Sequence, residues 1–376
     1  MAVKIVRQPN KIALLGAPTS AAALAAGTEG APAALRAAGL IDRLTSIGYS
    51  VTDLGDDPQQ LFQEDSESPR ARNIPRIIKA LEALKPRVEQ AVKSAALPVI
   101  LSGDCSVVLA TIAGVRRYFR NVALVYVDRD ADLNTPATTA SGCVDGMVIS
   151  HVIGRGAAEL VRFWPEPPLV REPDIALFGM ARLDRAEQEA LQRIPLRRHL
   201  AADVERKGAA AAAEAAIEGI HASTHEFVLH VDVDVIADFA ATKVPASDGL
   251  RLEEVRDALT VFAKQKHLAA IDVAGYDPTK DADGAGAKIV VDLLAAILKA
   301  RLDAFEEAAA PPPATVSAES TAKAEPEPTK EISVPAATAG EAWSSDSLEE
   351  TSSETKDSST AQPSEPSSAS GGNESQ

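Results

Sequence analysis

The sequence predicts an α/β protein with three layers, in which one mostly parallel sheet lies between layers of helices. Short runs that are apolar at nearly every position alternate with longer stretches of helical composition over residues 1–307. The short runs are flanked by Gly, Pro or Asp, as is typical of parallel strands covered on both faces. No sequence period indicates a repeat architecture. Together these observations favour a doubly wound, layered fold.

The strands and helices follow from composition and from the residues at their ends. Six apolar runs are predicted strands, at residues 11–16, 98–102, 122–127, 175–178, 227–231 and 268–273. Four stretches are predicted helices, at residues 33–47, 75–96, 209–220 and 287–307. The first helix follows Pro32 and stops before Gly48, which suits the usual preference for Pro at helix starts and Gly after helix ends. The last helix closes the predicted domain.

Composition changes near Ala308. Residues 308–376 are rich in Ala, Pro, Ser, Thr and Glu, and they carry 12 acidic and 3 basic residues, which accounts for nine of the sixteen net negative charges. Such a segment cannot bury enough apolar surface to offset chain entropy. We therefore predict one domain over residues 1–307 and a disordered acidic tail over residues 308–376.

Charge and composition exclude several classes of protein. The net charge of −16 argues against nucleic-acid binding, since phosphates require basic surfaces. No apolar run is long enough to cross a membrane, and the residues after Met1 lack the apolar stretch of a signal peptide. Two cysteines, Cys105 and Cys143, do not make a disulfide framework. A cytoplasmic location is therefore expected.

Carboxylates cluster where two predicted strands end. Asp128, Asp130 and Asp132 are spaced by two after one strand, and Asp232 and Asp234 have the same spacing after another. Carboxylates that converge on one cavity repel each other unless a cation neutralises them. An all-oxygen ligand set favours Mn, Mg or Ca over zinc. Solvent-facing turn aspartates are the alternative for either group alone, because Asp is common in turns.

Residues 11–300 resemble the arginase (ureohydrolase) family, and arginase more than agmatinase. The resemblance rests on five segments: Ile12-Ala13-Leu14-Leu15-Gly16-Ala17-Pro18, Gly30-Ala31-Pro32-Ala33-Ala34-Leu35-Arg36, Gly48-Tyr49-Ser50-Val51-Thr52-Asp53-Leu54-Gly55-Asp56, Asp132-Leu133-Asn134-Thr135-Pro136 and Thr138-Thr139-Ala140-Ser141-Gly142. The resemblance implies one parallel sheet between helical layers and a homo-oligomer, often a trimer. It also implies a pair of Mn ions bridged by hydroxide, which attacks a guanidino carbon and releases urea.

The resemblance assigns metal-ligand positions. The family's ligand aspartates are matched by Asp128, Asp132, Asp232 and Asp234. The family has a histidine ligand at each of two further positions, which are Cys105 and Asp130 here. Five aspartates, with or without a Cys105 thiolate, make this shell more anionic than four aspartates with two neutral histidines. A more anionic shell weakens a metal as a Lewis acid and raises the pKa of bound water.

The resemblance also separates two ends of the pocket. Asn134, Thr139 and Ser141 match positions that hold the substrate's α-carboxylate, and Asp184 and Glu187 match positions near its α-amino group. The amino-acid end is therefore expected to be kept.

The reactive end differs from the family pattern. Asp145 replaces a histidine with a proton-shuttle role, and Gly275 replaces the glutamate that grips the guanidinium. Loss of a general acid typically costs about 10²–10⁴ in rate, so weak or lost arginase turnover is expected. The alternatives are an amino-acid-binding or regulatory pseudoenzyme and a structural subunit that co-assembles with an active paralogue.

Several residues keep two interpretations. Cys105 is either a thiolate ligand or a small buried hydrophobe, and a redox pair with Cys143 is a third possibility. His230 either replaces a lost ligand or is a hydrogen-bonded core histidine, and the second interpretation is favoured. Arg129 either offsets the charge of Asp130 or points outward.

Overall fold

Eight parallel strands form one sheet in the computed structural model, which describes residues 5–221 and 226–309. The strands are β1 (Lys11–Ala17), β2 (Ser50–Asp56), β3 (Leu97–Ser102), β4 (Val122–Val127), β5 (Ile175–Met180), β6 (Arg197–Leu200), β7 (Glu226–Asp232) and β8 (Leu268–Ala274). Their order across the sheet is β2-β1-β3-β8-β7-β4-β5-β6. The parallel sheet expected from the apolar runs is confirmed.

Helices cover both faces of the sheet. They are α1 (Ala31–Ala37), α2 (Leu40–Ser46), α3 (Ile74–Lys93), α4 (Val108–Arg116), α5 (Val148–Val152), α6 (Ala158–Val161), α7 (Arg185–Arg193), α8 (Ala201–Lys207), α9 (Ala209–His221), α10 (Leu252–Lys264) and α11 (Ala285–Ala309). In β4, Val125 packs in a core with α9, α10 and α11, whereas Leu124 packs in a core with α3 and α4. This alternation produces the three-layer α/β/α arrangement.

Several elements differ from the sequence prediction, and the reason is identifiable for the predicted helix at residues 33–47 and for α4. The single helix predicted over residues 33–47 is two helices, because Gly39 has a φ of 86° between α1 and α2. That left-handed conformation ends an α-helix and is readily adopted by glycine. Helix α4 was not predicted, since eight of its nine residues are buried and it lacks a polar face.

The described residues lie within one compact unit that is bounded at Pro313. Helix α11 continues to Ala309, two residues beyond the predicted domain end at residue 307. The rest of the predicted tail, residues 310–376, lies outside the described residues. None of the described helices has the length and apolar character needed to cross a membrane.

Candidate metal and ligand site

The carboxyl ends of adjacent strands bring the candidate residues together. Asp128 directly follows β4, Asp232 ends β7, Gly275 directly follows β8, and Cys105 lies three residues beyond β3. In parallel sheets these ends share one edge, which is where open α/β sheets place their sites. A cavity of about 560 Å³ opens there. Its lining includes the thirteen residues to which the family resemblance assigned a role: Cys105, Asp128, Asp130, Asp132, Asn134, Thr139, Ser141, Asp145, Asp184, Glu187, Asp232, Asp234 and Gly275.

Three aspartates form an oxygen cluster in this cavity. One carboxylate oxygen from each of Asp128, Asp232 and Asp234 lies within 4.8 Å of the others. The Asp130 backbone N–H donates to Asp128 Oδ1 at 2.7 Å, and the Asp234 N–H donates to Asp232 Oδ1 at 2.8 Å. These bonds orient two of the carboxylates. Asp234 Oδ1 is buried and has no hydrogen-bond partner within the described part of the chain.

The electrostatics of the oxygen cluster suit a cation. Burial, and then the charge of neighbouring aspartates, raises the pKa of Asp128, Asp132 and Asp234 well above the usual carboxyl value. A divalent ion would remove this penalty by favouring the ionised forms. The unpartnered Asp234 oxygen and the all-oxygen donor set therefore fit a hard ion such as Mn²⁺ or Mg²⁺.

A second group contains different donor atoms. Ligand atoms of Cys105, Asp128 and His230 also lie within 4.8 Å of one another, and all three residues are buried. Cys105 Sγ donates to Asp232 Oδ2 at 2.9 Å. Burial, followed by the charge of Asp232, raises the pKa of the Cys105 thiol well above its usual value. Cys105 and Cys143 are both free thiols.

His230 was the less favoured of the candidate ligands, because its position within β7 suggested a core histidine. It is fully buried, as predicted, and its ring stacks on Tyr126 with centroids 4.5 Å apart. The predicted hydrogen bond, however, is wrong: neither ring nitrogen has a partner among residues 5–221 and 226–309. The closest charged contact is Asp272 Oδ1, 3.9 Å from Nδ1. The signal in the sequence was its period-two spacing from Asp232.

Three basic side chains partly neutralise the cavity. Arg182 binds both carboxylate oxygens of Asp130, and Lys243 Nζ lies 4.0 Å from Asp145 Oδ2. Arg129 is buried and lies 3.5 Å from Asp234.

Arg182 and Lys243 were not predicted from the sequence. Arg129 was predicted either to offset the charge of Asp130 or to point outward. Arg129 contacts Asp234 and Asp248, so it neither offsets Asp130 nor points outward. Arg182 lies two residues after β5. It could have been predicted as Asp128 was, because residues that follow parallel strands meet at one edge of the sheet. Lys243 carries no comparable signal, because it lies in a long loop.

Asp132 and Asp145 are held by different partners. The Tyr126 hydroxyl donates to Asp132 Oδ2, and the Cys105 backbone N–H donates to Asp145 Oδ1 at 2.8 Å. Burial raises the pKa of Asp145, although Lys243 acts in the opposite direction. Neither residue belongs to the two ligand groups, yet both face the same cavity.

The rim of the cavity presents polar groups in fixed positions. Asp184 and Glu187 form a capping box at the start of α7, and Asn134 Nδ2 donates to Asp184 Oδ2 at 2.7 Å. The Thr139 hydroxyl oxygen accepts the Gly142 N–H, and the Ser141 hydroxyl oxygen accepts the Cys143 N–H. Each hydroxyl keeps its O–H to donate, for example to a carboxylate, although the two oxygens lie 3.4 Å apart and one can donate to the other.

Gly275 occupies a position with no room for a side chain. Its φ is 83°, and a Cβ atom built on it would lie 2.0 Å from Asp232 Oδ1. Real Cβ atoms do not approach other atoms so closely. A larger residue here would therefore displace Asp232 from the oxygen cluster.

The fold and the site match those of a known protein family. The model of the arginase family matches residues 10–299, a span that contains all the residues of the site. The match covers more than half of the chain, so the chain belongs to the arginase family.

Known relatives agree with this assignment. An arginase from Brevibacillus brevis is 27% identical over 295 residues, which cover 78% of this chain and 99% of the relative. The native structure of arginase from Bacillus caldovelox has a TM-score of 0.71 at 25% identity, covering 77% of this chain and 98% of that one. Formimidoylglutamase from Bacillus subtilis, at 19% identity, has a TM-score of 0.62 over 80% of this chain and 88% of that one, which shows the shared fold alone.

Proposed function

We propose that this arginase-family protein binds a divalent metal and an amino-acid or guanidino ligand, and that its arginase turnover is weak or lost. Asp128, Asp232 and Asp234 would hold the ion, by family resemblance Mn²⁺. When bound, such an ion supplies Lewis acidity that activates water in hydrolases. The protein's own side chains would bind and orient the ligand.

The amino-acid end of the cavity supports ligand binding. Thr139 and Ser141 accept backbone N–H groups through their hydroxyl oxygens and keep their O–H groups to donate, which suits an α-carboxylate. Asp184 and Glu187 add carboxylates to the lining of the same cavity, which suit an ammonium group. A ligand with both charges would thus be oriented along the cavity toward the oxygen cluster.

Gly275 is the observation that carries the expected loss of turnover. The family resemblance places a guanidinium-gripping glutamate at this position, whereas the backbone here leaves no space for a side chain beside Asp232. A guanidinium would therefore be poorly positioned against the reacting centre, and lost positioning can cost several kcal/mol of barrier. Asp145, in place of the proton-shuttle histidine, is held by the Cys105 N–H and faces Lys243.

Purified full-length protein, assayed for bound metal and for urea from arginine after loading with Mn²⁺, tests this proposal. The expected result is bound metal with urea release at least about 10²-fold below that of an arginase, in line with the loss of a general acid. Release at the rate of a family arginase would contradict the weak turnover. Absence of both bound metal and ligand binding would contradict the whole proposal.

A non-catalytic amino-acid-binding protein is the second candidate. The pairs Arg182–Asp130, Lys243–Asp145 and Arg129–Asp234 favour it, because they supply part of the positive charge that metal ions would otherwise provide. This function predicts that arginine or ornithine raises the melting temperature of metal-free protein while no urea forms. A thermal shift that appears only with metal would favour the first candidate.

We also propose, by resemblance to the family, a cytoplasmic homo-oligomer, often a trimer, with assembly into mixed oligomers with an active paralogue as the alternative. Light scattering coupled to size exclusion measures the first. Co-expression with a tagged paralogue and co-purification measures the second.

A further inference from the structure

We propose that Cys105, Asp128 and His230 form a second, chemically distinct metal centre, which takes a borderline or soft ion such as Zn²⁺. This inference rests on the proposed metal-binding function of the cavity and deepens it. The oxygen cluster and this mixed cluster share Asp128. The shared carboxylate would let the cavity hold two ions of different chemical preference.

The geometry of the mixed cluster brings three kinds of donor together. A sulfur, an imidazole nitrogen and a carboxylate oxygen all lie within 4.8 Å of one another. Cys105 and Asp128 line the cavity, which gives an ion a route of entry, and His230 lies behind them in β7. Three protein ligands with one open position are typical of zinc sites that also bind water or substrate.

His230 is the independent observation that indicates a ligand. The ring is fully buried, stacks on Tyr126 and has no hydrogen-bond partner for either nitrogen among the described residues. Burial of a polar group without a partner is unfavourable, and buried polar atoms without partners are uncommon in folded proteins. A metal ion bound to the ring would remove that cost.

Asp272 supplies a supporting contact for the histidine. It is fully buried, lies 3.9 Å from His230 Nδ1, and accepts hydrogen bonds from Ser102 at 2.8 Å and Thr111 at 3.0 Å. A carboxylate fixed beside a metal-binding histidine is a recurrent arrangement that orients the ring. The pairing is consistent with His230 as a ligand rather than as inert core.

The donor set determines which metal is expected. Thiolate and imidazole are softer donors than carboxylates and suit zinc, whereas the all-oxygen cluster suits Mn²⁺ or Mg²⁺. On binding, the Cys105 S–H proton that is donated to Asp232 leaves to solvent, and the sulfur lone pair that it frees forms the bond to the metal. No oxidant or reductant is required.

Cobalt spectroscopy on the full-length protein tests the proposal directly. Zinc outcompetes manganese at most sites, so preference alone would not be diagnostic. Metal-free protein titrated with Co²⁺ should develop a sulfur-to-cobalt charge-transfer band in the near ultraviolet, and Zn²⁺ should abolish it. Cobalt binding without a sulfur band would overturn the proposal without any variant.

Matched variants locate the ligands. Cys105→Ser should remove the sulfur band, and both it and His230→Ala should lower zinc affinity by about 100-fold or more, since changing groups that merely support metal ligands already costs about 10–100-fold. Cys143→Ser and His151→Leu are the controls, since these residues are also buried but belong to neither cluster. Equal losses in variants and controls, or none in either, would overturn the assignment.

These experiments distinguish failure of the mixed centre from failure of the proposed function. Mn²⁺ and ligand binding that persist without a sulfur band would refute the mixed centre alone. A sulfur band in a protein that binds no amino acid and releases no urea would support the mixed centre and contradict the proposed function.

Discussion

Gly275 shows how one position can control a site that it does not directly form. Its backbone has a φ of 83°, and its missing side chain leaves space that Asp232 occupies. Gly284 has a similar φ of 73° but has open space around it. The pair therefore separates the cost of the backbone conformation from the cost of the steric conflict with Asp232.

Gly275→Ala should destabilise the fold more than Gly284→Ala does. A left-handed backbone costs a non-glycine residue about 1–2 kcal/mol, and only the change at 275 adds a collision with a carboxylate. Urea unfolding of both variants measures the difference. An equal loss of unfolding free energy in the two variants would show that Asp232 moves away from the new side chain without cost. For the same reason, Gly275→Glu alone should not recover the family's guanidinium grip.

His151 should make the protein sensitive to mild acid. Burial lowers its pKa to about 4, below the value of about 6.5 in an unfolded chain. The stability that the fold has with a neutral, buried His151 is therefore fully present above pH 6.5. It is lost as pH falls toward 4, because the unfolded chain binds a proton that the folded chain does not. Between pH 7.5 and pH 5 the free energy of unfolding should fall in the wild type, and in His151→Leu this fall should be smaller by about 2 kcal/mol. Parallel pH dependence of the two proteins would contradict this.

At the scale of elements, neighbouring strands place charges of opposite sign at the same sheet edge. β4 and β5 pair in parallel, so the loops that follow them bring Asp130 beside Arg182. The resemblance assigned Asp130 to a metal position, yet the structure gives it a cation from the protein itself. Neither ligand group found among the described residues includes Asp130.

Arg182→Gln should strengthen divalent-metal binding, because it releases Asp130 from its counterion. The gain should be about fivefold or less, since ion pairs of exposed arginines are worth about 1 kcal/mol or less. Calorimetric titration with Mn²⁺ measures it. Arg185→Gln is the control, because Arg185 is 93% exposed and, among residues 5–221 and 226–309, forms its ion pair with Glu189 on its own helix. A similar gain in both variants would indicate a general charge effect.

At the scale of the whole molecule, pH and metal should act together on stability. Burial raises the pKa of Asp128, Asp132 and Asp234. A raised carboxyl pKa stabilises the fold at low pH, and this contribution is lost as pH rises from about 4 through the folded-state value. A bound cation favours the ionised forms and reverses the loss.

The shift in melting temperature on adding Mn²⁺ should therefore be larger at pH 8 than at pH 5.5. Saturation at 100 times Kd corresponds to about 2.7 kcal/mol of stabilisation. Differential scanning fluorimetry with and without Mn²⁺ measures the shift, and Asp234→Asn, which replaces a charged carboxylate by a neutral amide, should reduce it. A shift that does not change with pH would count against carboxylate ligation.

The acidic tail should contribute little to folding. Its composition predicts disorder, and it carries nine of the chain's sixteen net negative charges. A chain truncated after Pro313, where the compact unit is bounded, should keep its melting temperature to within a few degrees. A substantial loss on truncation would show that the tail packs on the domain.

Much of the fold was predictable because the strand signal is local. The run Val122–Val127 was predicted to the residue, since a strand covered on both faces is apolar throughout. Strand β6, with the sequence Arg197–Leu200, was missed because it is a short edge strand with exposed polar positions. The helix predicted over residues 33–47 was interrupted because Gly39 has a positive φ that composition does not show.

The sequence by itself determined the sheet, the edge where the site lies and the set of carboxylates that line it, because strand ends and residue spacing are properties of the chain alone. Tertiary structure decided the contacts: Arg182 on Asp130, Tyr126 on Asp132, and His230 beside Cys105 with no hydrogen-bond partner for its ring in the described part of the chain. These contacts join residues from different strands and loops. Their distances depend on how strands pair across the sheet, which local sequence does not specify.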